Sequence, residues 1–440
     1  MRTIIKDVLT VTMNERGDVG VYTIVIEKGR VGLLTKEKVR PARGDRLIDG
    51  AGKIALPGFF NGHVHSDMTL ARGLGDGLTL YEQDKDSFIS RRHWFRDELG
   101  KDVRHSAKLL QYVEALKGGI TFLCDVPFWS HGEDLVRPFR EVGLTGAVVI
   151  DFREDFLGEA VISREEYFGI LGHLRQNGLV PVVEGPSEEN YDESLVRKLA
   201  GWAEEFDTFI QMHLAETSWR LKIVRDRFGK SSVRFLRDIG VLNERIMGSH
   251  GVFIDDEEIG LLGESGARIV NCPTAEMKIA DGVAPVAKFI RNGVVTSLGT
   301  DGALWNDCAD MFAEMKTLML LQRVTHGADS MSAEACLRAA TIDGARAFGL
   351  ERELGSIEIG KRATLVLVDY MKPHAVPVYQ GRQSNVLQVL TSCLRASDVD
   401  TVIVDGAVVV EAGKILTVDE DALVRDCQEL GVGIFRDMDP

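Results

Sequence analysis

The sequence predicts an α/β protein: a closed, TIM-like (β/α)8 barrel with a small β domain assembled from the two chain ends. Three observations carry this. Short apolar runs alternate with helical stretches through the middle of the chain. β-Branched runs broken by glycine and Asp-Gly turns occupy both ends. The apolar runs of the middle segment finish in imidazoles, carboxylates or an amide, which a core strand has no packing reason to do.

The β-rich ends come first. In residues 1–56, short β-rich runs alternate with turns, and residues 19–31 read as a strand, a turn and another strand. Residues 363–369 and 399–410 repeat the pattern near the other terminus. Segments 1–56 and 351–440 are therefore expected to pair into one sheet domain, leaving 57–350 for the barrel.

Within 57–350, the run ending in His63-Val64-His65 is the first barrel strand. The others are residues 120–125, 146–151, 179–184, 208–213, 246–250, 267–271 and 294–301. Helical stretches separate several of them, for example 103–117 and 218–238. Repeated strand–helix units produce a parallel sheet, and eight units over roughly 300 residues suit a closed barrel. A doubly wound open sheet is the alternative, but no Gly-x-Gly-x-x-Gly follows an early strand.

Composition narrows the function classes. Of 440 residues, 45% are hydrophobic and 27% charged, as in a globular protein, and the net charge is −15. Nucleic acid and anionic membranes call for a basic face, so neither is expected as a partner. No apolar run reaches the ~18 residues of a membrane span, and Met1-Arg2-Thr3-Ile4-Ile5-Lys6-Asp7 lacks a signal-peptide core. The cysteines at 124, 272, 308, 336, 393 and 427 form no Cys-x-x-Cys pair. They suit a reducing cytoplasm, which is the expected location.

Chemistry in such barrels sits at the C-terminal ends of the strands. Those ends read His63/His65, Asp125, Asp151, Glu184, His213, His250, Asn271 and Asp301. His63 and His65, two apart on a strand, face the same way. With His213 and Asp301 they offer three nitrogens and an oxygen to one divalent cation such as zinc. Asp301 could take a proton from the attacking water. His250 could orient that water or stabilise the charge that develops. Glu216, in His213-Leu214-Ala215-Glu216-Thr217, could protonate a ring nitrogen and then a leaving amine. The catalytic candidates are thus Glu216, His250 and Asp301, and the metal candidates His63, His65, His213 and Asp301.

These stretches resemble the amidohydrolase superfamily, in its branch of mononuclear deaminases and chlorohydrolases. The matching segments include Pro57-Gly58-Phe59-Phe60-Asn61-Gly62-His63-Val64-His65, Gly118-Gly119-Ile120-Thr121, His213 to Thr217, Ser249-His250-Gly251 and Gly299-Thr300-Asp301-Gly302-Ala303. The resemblance continues through Ala339-Ala340-Thr341 to residues 360–366, so it covers nearly the whole chain. It implies a metal-dependent hydrolase barrel plus a β-sandwich from both chain ends. It also implies one divalent metal ion, most commonly zinc and otherwise ferrous iron, and a homo-oligomer. The activity implied is hydrolytic deamination of an aminated nitrogen heterocycle of purine, pterin, triazine or nucleoside type. A related hydrolase acting on a C–Cl or cyclic amide bond is the alternative, with Glu184 as a possible bridge between two metals. A barrel that binds metal without catalysis is a third reading.

The substrate side departs from the pattern. Where nucleoside deaminases carry Gly-Pro-His, this chain has Gly185-Pro186-Ser187-Glu188. Where Asn-Pro-x-Ser-Asn is usual, it has Asn271-Cys272-Pro273-Thr274-Ala275-Glu276. Glu276 puts a carboxylate where an amide is common, which favours a substrate with N–H donors or positive charge. Ser187, Arg153 and Glu276 are the substrate-binding candidates, together with Trp94. Phe128, Trp129 and Trp305 are further aromatic residues that could stack on a flat ring.

Overall fold

The structure, a computed structural model, describes residues 2–85, 100–128, 132–153 and 161–438. Trp94 and Trp129 lie outside the described residues. Eight parallel strands form the barrel sheet, each beside the next in chain order: Phe59–Val64, Ile120–Asp125, Thr145–Ile150, Val180–Glu184, Phe209–Leu214, Ile246–His250, Arg268–Asn271 and Thr296–Leu298. Each matches an expected strand, with ends displaced by a residue or two except in the last, which is shorter. Beyond Leu298 the backbone turns out of extended geometry, and Asp301 has φ +61°. The first and last strands meet where the N–H groups of Thr300 and Asp301 donate to the His63 carbonyl, at 3.2 and 3.0 Å. That contact brings the sheet nearly round into a closed barrel and places His63 against Asp301.

Two apolar layers hold the barrel. Phe60, Phe122, Cys124, Ala147, Val149, Val182, Met247 and Val270 alternate along their strands and share one buried cluster with Ala345, Phe348 and Leu354. The Phe122 ring lies between Phe60, 4.6 Å away, and Phe348, 4.9 Å away. This part of the barrel is thus packed solid by side chains of the segment after the eighth strand. A larger cluster fills the layer between the strands and the surrounding helices. The expected helix over 218–238 is two helices, Ser218–Phe228 and Ser232–Asp238, separated at Gly229, whose φ of +70° terminates the first.

The chain ends form one nine-stranded sheet. Thr3–Val11 pairs antiparallel with Val19–Glu27 and parallel with both Arg46–Asp49 and Lys53–Pro57. Lys53–Pro57 pairs antiparallel with Leu365–Asp369, joining the two termini. Ile5, Ile24, Ile48, Leu365 and Ile403 meet in a single cluster, so the sheet wraps around its own apolar face. The C-terminal segment is not β throughout. Its last element is the helix Glu420–Met438, which packs on the barrel helix Gly100–Lys117 through Cys427, whose thiol donates to the Ser106 carbonyl at 3.4 Å. Buried Leu423 and Cys427, four residues apart, supply the inward stripe. All six cysteines are free. No helix among the described residues is long and apolar enough to cross a membrane.

Candidate active site

The polar strand ends sort into two groups. His63, His65, His213, His250 and Asp301 converge at one point. Asp125, Asp151, Glu184 and Asn271 are engaged elsewhere.

Ligand atoms of His63, His65 and His213 all lie within 4.8 Å of one another. Asp301 Oδ1 is 3.7 Å from His63 Nε2 and 3.6 Å from His65 Nε2. Neighbouring groups set the histidine tautomers. Gln211 Nε2 donates to the Gly62 carbonyl at 3.0 Å, which turns its Oε1 toward His63 Nδ1 at 3.1 Å. A carbonyl oxygen only accepts, so Nδ1 carries the hydrogen and Nε2 presents a bare lone pair. The Val126 carbonyl does the same for His65 Nδ1 at 2.9 Å. Buried His63 Nε2 has no hydrogen-bond partner. Burial and the adjacent imidazoles hold His63 and His213 well below the usual histidine range. Neutral, pre-aimed nitrogens with an orphaned lone pair fit a divalent cation.

His65 is itself clamped. Phe128 stacks on it at 5.0 Å and Trp305 meets its edge at 5.3 Å. The Trp305 indole N–H donates to Gln83 Oε1 at 3.0 Å. Behind the turn after His65, Asp125 accepts from the Ser66 hydroxyl, Lys108 and Tyr112 at 2.8, 3.1 and 2.8 Å. Buried Lys108 lies between Asp125 and Asp67, so two carboxylates share one ammonium. This network fixes the loop that delivers His65.

Glu216 is buried, with Oε1 3.6 Å from His250 Nε2 and Oε2 accepting from Arg220. Its turn precedes the helix Ser218–Phe228, which Thr217 caps by accepting from the Arg220 N–H. Glu188 secures the same turn by accepting from the Ala215 N–H at 2.8 Å and from Ser232, and burial pushes its pKa up to about 7. His250 stands between two carboxylates: Glu276 Oε1 is 3.6 Å from its Nδ1. Burial opposes a charge on this ring, yet Glu216, Glu276 and Asp301 together outweigh it and raise its pKa to about 10. Burial also raises Asp301, against the pull of His65 and His250. Ala215, His250 and Asp301 all take left-handed backbone angles, φ +51°, +78° and +61°. Non-glycine residues in that region cost of order 1–3 kcal/mol each, and such strain concentrates at functional sites.

The substrate-side candidates fall differently. Glu276 is buried beside His250. Its oxygens accept from Asn271 Nδ2 at 2.8 Å, and Oε1 also accepts from the Cys272 N–H at 3.0 Å. Arg153 grips Asp151 with contacts of 2.6–3.2 Å. Ser187 begins the short turn Glu188–Asn190 without a side-chain cap bond. Glu184 has Asp151 and Arg153 as its charged neighbours, and burial raises its pKa well above the usual range. Two residues of the site escaped the sequence reading. Gln211 sits mid-strand, where only its inward face on the barrel would have singled it out. Asp281, in an Asp-Gly pair that reads as loop punctuation, has a buried, unpartnered Oδ2. Burial and Glu216 push its pKa up to about 8.

The profile of the Amidohydrolase family matches residues 54–409. The chain belongs to the amidohydrolase family. It is 30% identical over 437 residues to 5-methylthioadenosine/S-adenosylhomocysteine deaminase of Thermoanaerobacter pseudethanolicus, covering 98% of each chain. It is 31% identical over 435 residues to 5'-deoxyadenosine deaminase of Methanosarcina acetivorans, covering 97% of this chain and 96% of that one. Among solved structures, a zinc-bound adenosine deaminase of Xanthomonas campestris superposes with a TM-score of 0.89 at 25% identity, over 99% and 98% of the two chains. Family membership and the histidine cluster together place the chain among hydrolases suited to a divalent metal.

Proposed function

We propose that this protein is a metal-dependent deaminase that hydrolyses the exocyclic amine of a nitrogen heterocycle and releases ammonia. The observation that carries the reading is one convergence. Three imidazoles and Asp301 face a common point, and Glu216 and His250 stand beside it. His63, His65, His213 and Asp301 would hold one divalent ion, with zinc the first choice and ferrous iron the second. Such an ion supplies a Lewis acid that brings the pKa of a bound water toward ~7.

The chain's own groups do the rest. Asp301 accepts a proton from the attacking water. His250 orients that water and offsets charge as the amine-bearing carbon becomes tetrahedral. Glu216, fixed at one oxygen by Arg220, keeps the other to give a proton to a ring nitrogen, take one back from the added hydroxyl as the carbonyl forms, and pass it to the departing amine. Glu184 stands with Asp151 and Arg153, which supports a single ion over a bridged pair. The relatives' names point to adenine nucleosides, while Ser187, where nucleoside deaminases carry a histidine, leaves room for purine bases, pterins and triazines.

Zinc-loaded protein assayed for ammonia against adenine nucleosides, purine bases, pterins and aminotriazines tests the reading. Ammonia from at least one class is expected, with the ring amine replaced by oxygen in the product. Hydrolysis of amide or C–Cl bonds with no ammonia from any ring would overturn it.

A further inference from the structure

We propose that Glu276 is a positioning residue that acts through His250: its carboxylate keeps a proton on Nδ1 and so commits Nε2 to Glu216 and the three-histidine centre. The kinetic consequence rests on the deaminase reading; the geometry does not.

The His250 ring is buried between two acceptors. Glu276 Oε1 lies 3.6 Å from Nδ1, and Glu216 Oε1 lies 3.6 Å from Nε2. Neither ring nitrogen has a hydrogen-bond partner at normal length among the described residues. A neutral imidazole carries one N–H, and the partner of one nitrogen decides the role of the other. The two sides are not equivalent. Glu216 is divided between His250 and Arg220 and lies on a turn between a strand and a helix. Glu276 belongs to the short helix Pro273–Lys278, and Asn271 and the Cys272 N–H fasten its carboxylate from behind. The Asp281 N–H donates to the Glu276 backbone carbonyl at 2.9 Å, tying down the following loop as well. The cation nearest in sequence is engaged elsewhere, since Lys278 pairs with Asp307 at 2.7 Å. Glu276 therefore has a fixed position and an acceptor face directed at Nδ1.

The alternative is the sequence-level expectation that this carboxylate meets the substrate. That role requires an oxygen presented to the pocket. Here the side chain is 1% exposed and its oxygens are already used by Asn271, Cys272 and the approach to His250. A substrate contact would govern affinity and ring preference. A residue behind His250 would govern turnover.

Glu276→Leu separates the two. Leucine fills much of the space of the carboxylate but offers Nδ1 no acceptor. Glu276→Gln keeps one, because the oxygen that faces Nδ1 also accepts from the Cys272 N–H and stays an oxygen in the amide. On the best substrate of the panel, kcat of Glu276→Leu should fall by about 10²-fold or more with KM unchanged; the wrong tautomer of a catalytic histidine elsewhere costs ~10⁴-fold. Histidine ¹⁵N NMR on zinc-loaded protein, with His250 assigned by a His250→Gln spectrum, reads the tautomer independently of activity. The wild type should hold a proton on Nδ1, whether or not Nε2 also carries one. Glu276→Leu should lose it, and Glu276→Gln should retain it together with part of the rate. A wild-type Nδ1 without a proton would overturn the proposal. So would an unchanged tautomer in Glu276→Leu, or a KM change at intact kcat. If no ring were deaminated, the functional reading would fall while the NMR result still decided this one.

Discussion

Glu216→Gln is expected to lower kcat by about 10²–10⁴-fold, the usual contribution of a positioned general acid–base group. Metal content should stay at the wild-type level. The amide keeps the size and one acceptor of the carboxylate but cannot give up a proton to a ring nitrogen. Glu216 lies against His250 and Arg220 rather than within the three-histidine set, so its loss should not open the ion site. Steady-state ammonia release beside metal analysis of the same sample reads both quantities. A variant with the wild-type rate would remove the proton-shuttle role, and one that lost its metal would make Glu216 a ligand.

The second large effect is graded loss of the ion. His63→Ala removes one of three converging nitrogens. Gln211→Leu removes one of two groups at His63 Nδ1, the carbonyl oxygen that sets its tautomer, and leaves the Ser249 hydroxyl in place. Loss of such an outer partner typically weakens metal affinity by ~10–100-fold. Gln211→Leu should fall in that range and His63→Ala well beyond it, as measured by competition with a fluorescent chelator. The order matters more than either value. Equal losses would mean that Gln211 matters only to the fold of the strand, and no loss in His63→Ala would place the ion elsewhere.

Much of the architecture was legible because strand periodicity and strand-end chemistry coincide in this fold. His63 and His65 share a face because they are two apart on a strand. His213, His250 and Asp301 could be placed because each ends an apolar run, and parallel strands bring their C-terminal ends together. The roles of Arg153 and Glu276 were less legible, since a charge near a pocket does not reveal its partner. Asp151, two residues before Arg153, takes that guanidinium. Asn271, at the end of its strand, anchors Glu276. The terminal helix went unseen because Gly431 and Gly433 break its helical pattern, and its stabilising surface lies on the helix Gly100–Lys117, more than 300 positions earlier. Gln211 could not be recognised without knowing that the first strand, across the barrel, presents the Gly62 carbonyl to its amide.

We propose that one cation, held by His63, His65, His213 and Asp301, makes this chain a hydrolase. Stepwise addition of zinc to metal-free protein, with ammonia release followed at each step, is the decisive titration. Activity should be absent without metal, rise linearly and level off at one equivalent per chain. Full activity in the metal-free protein, or a plateau reached only at two equivalents, would refute the single-ion centre.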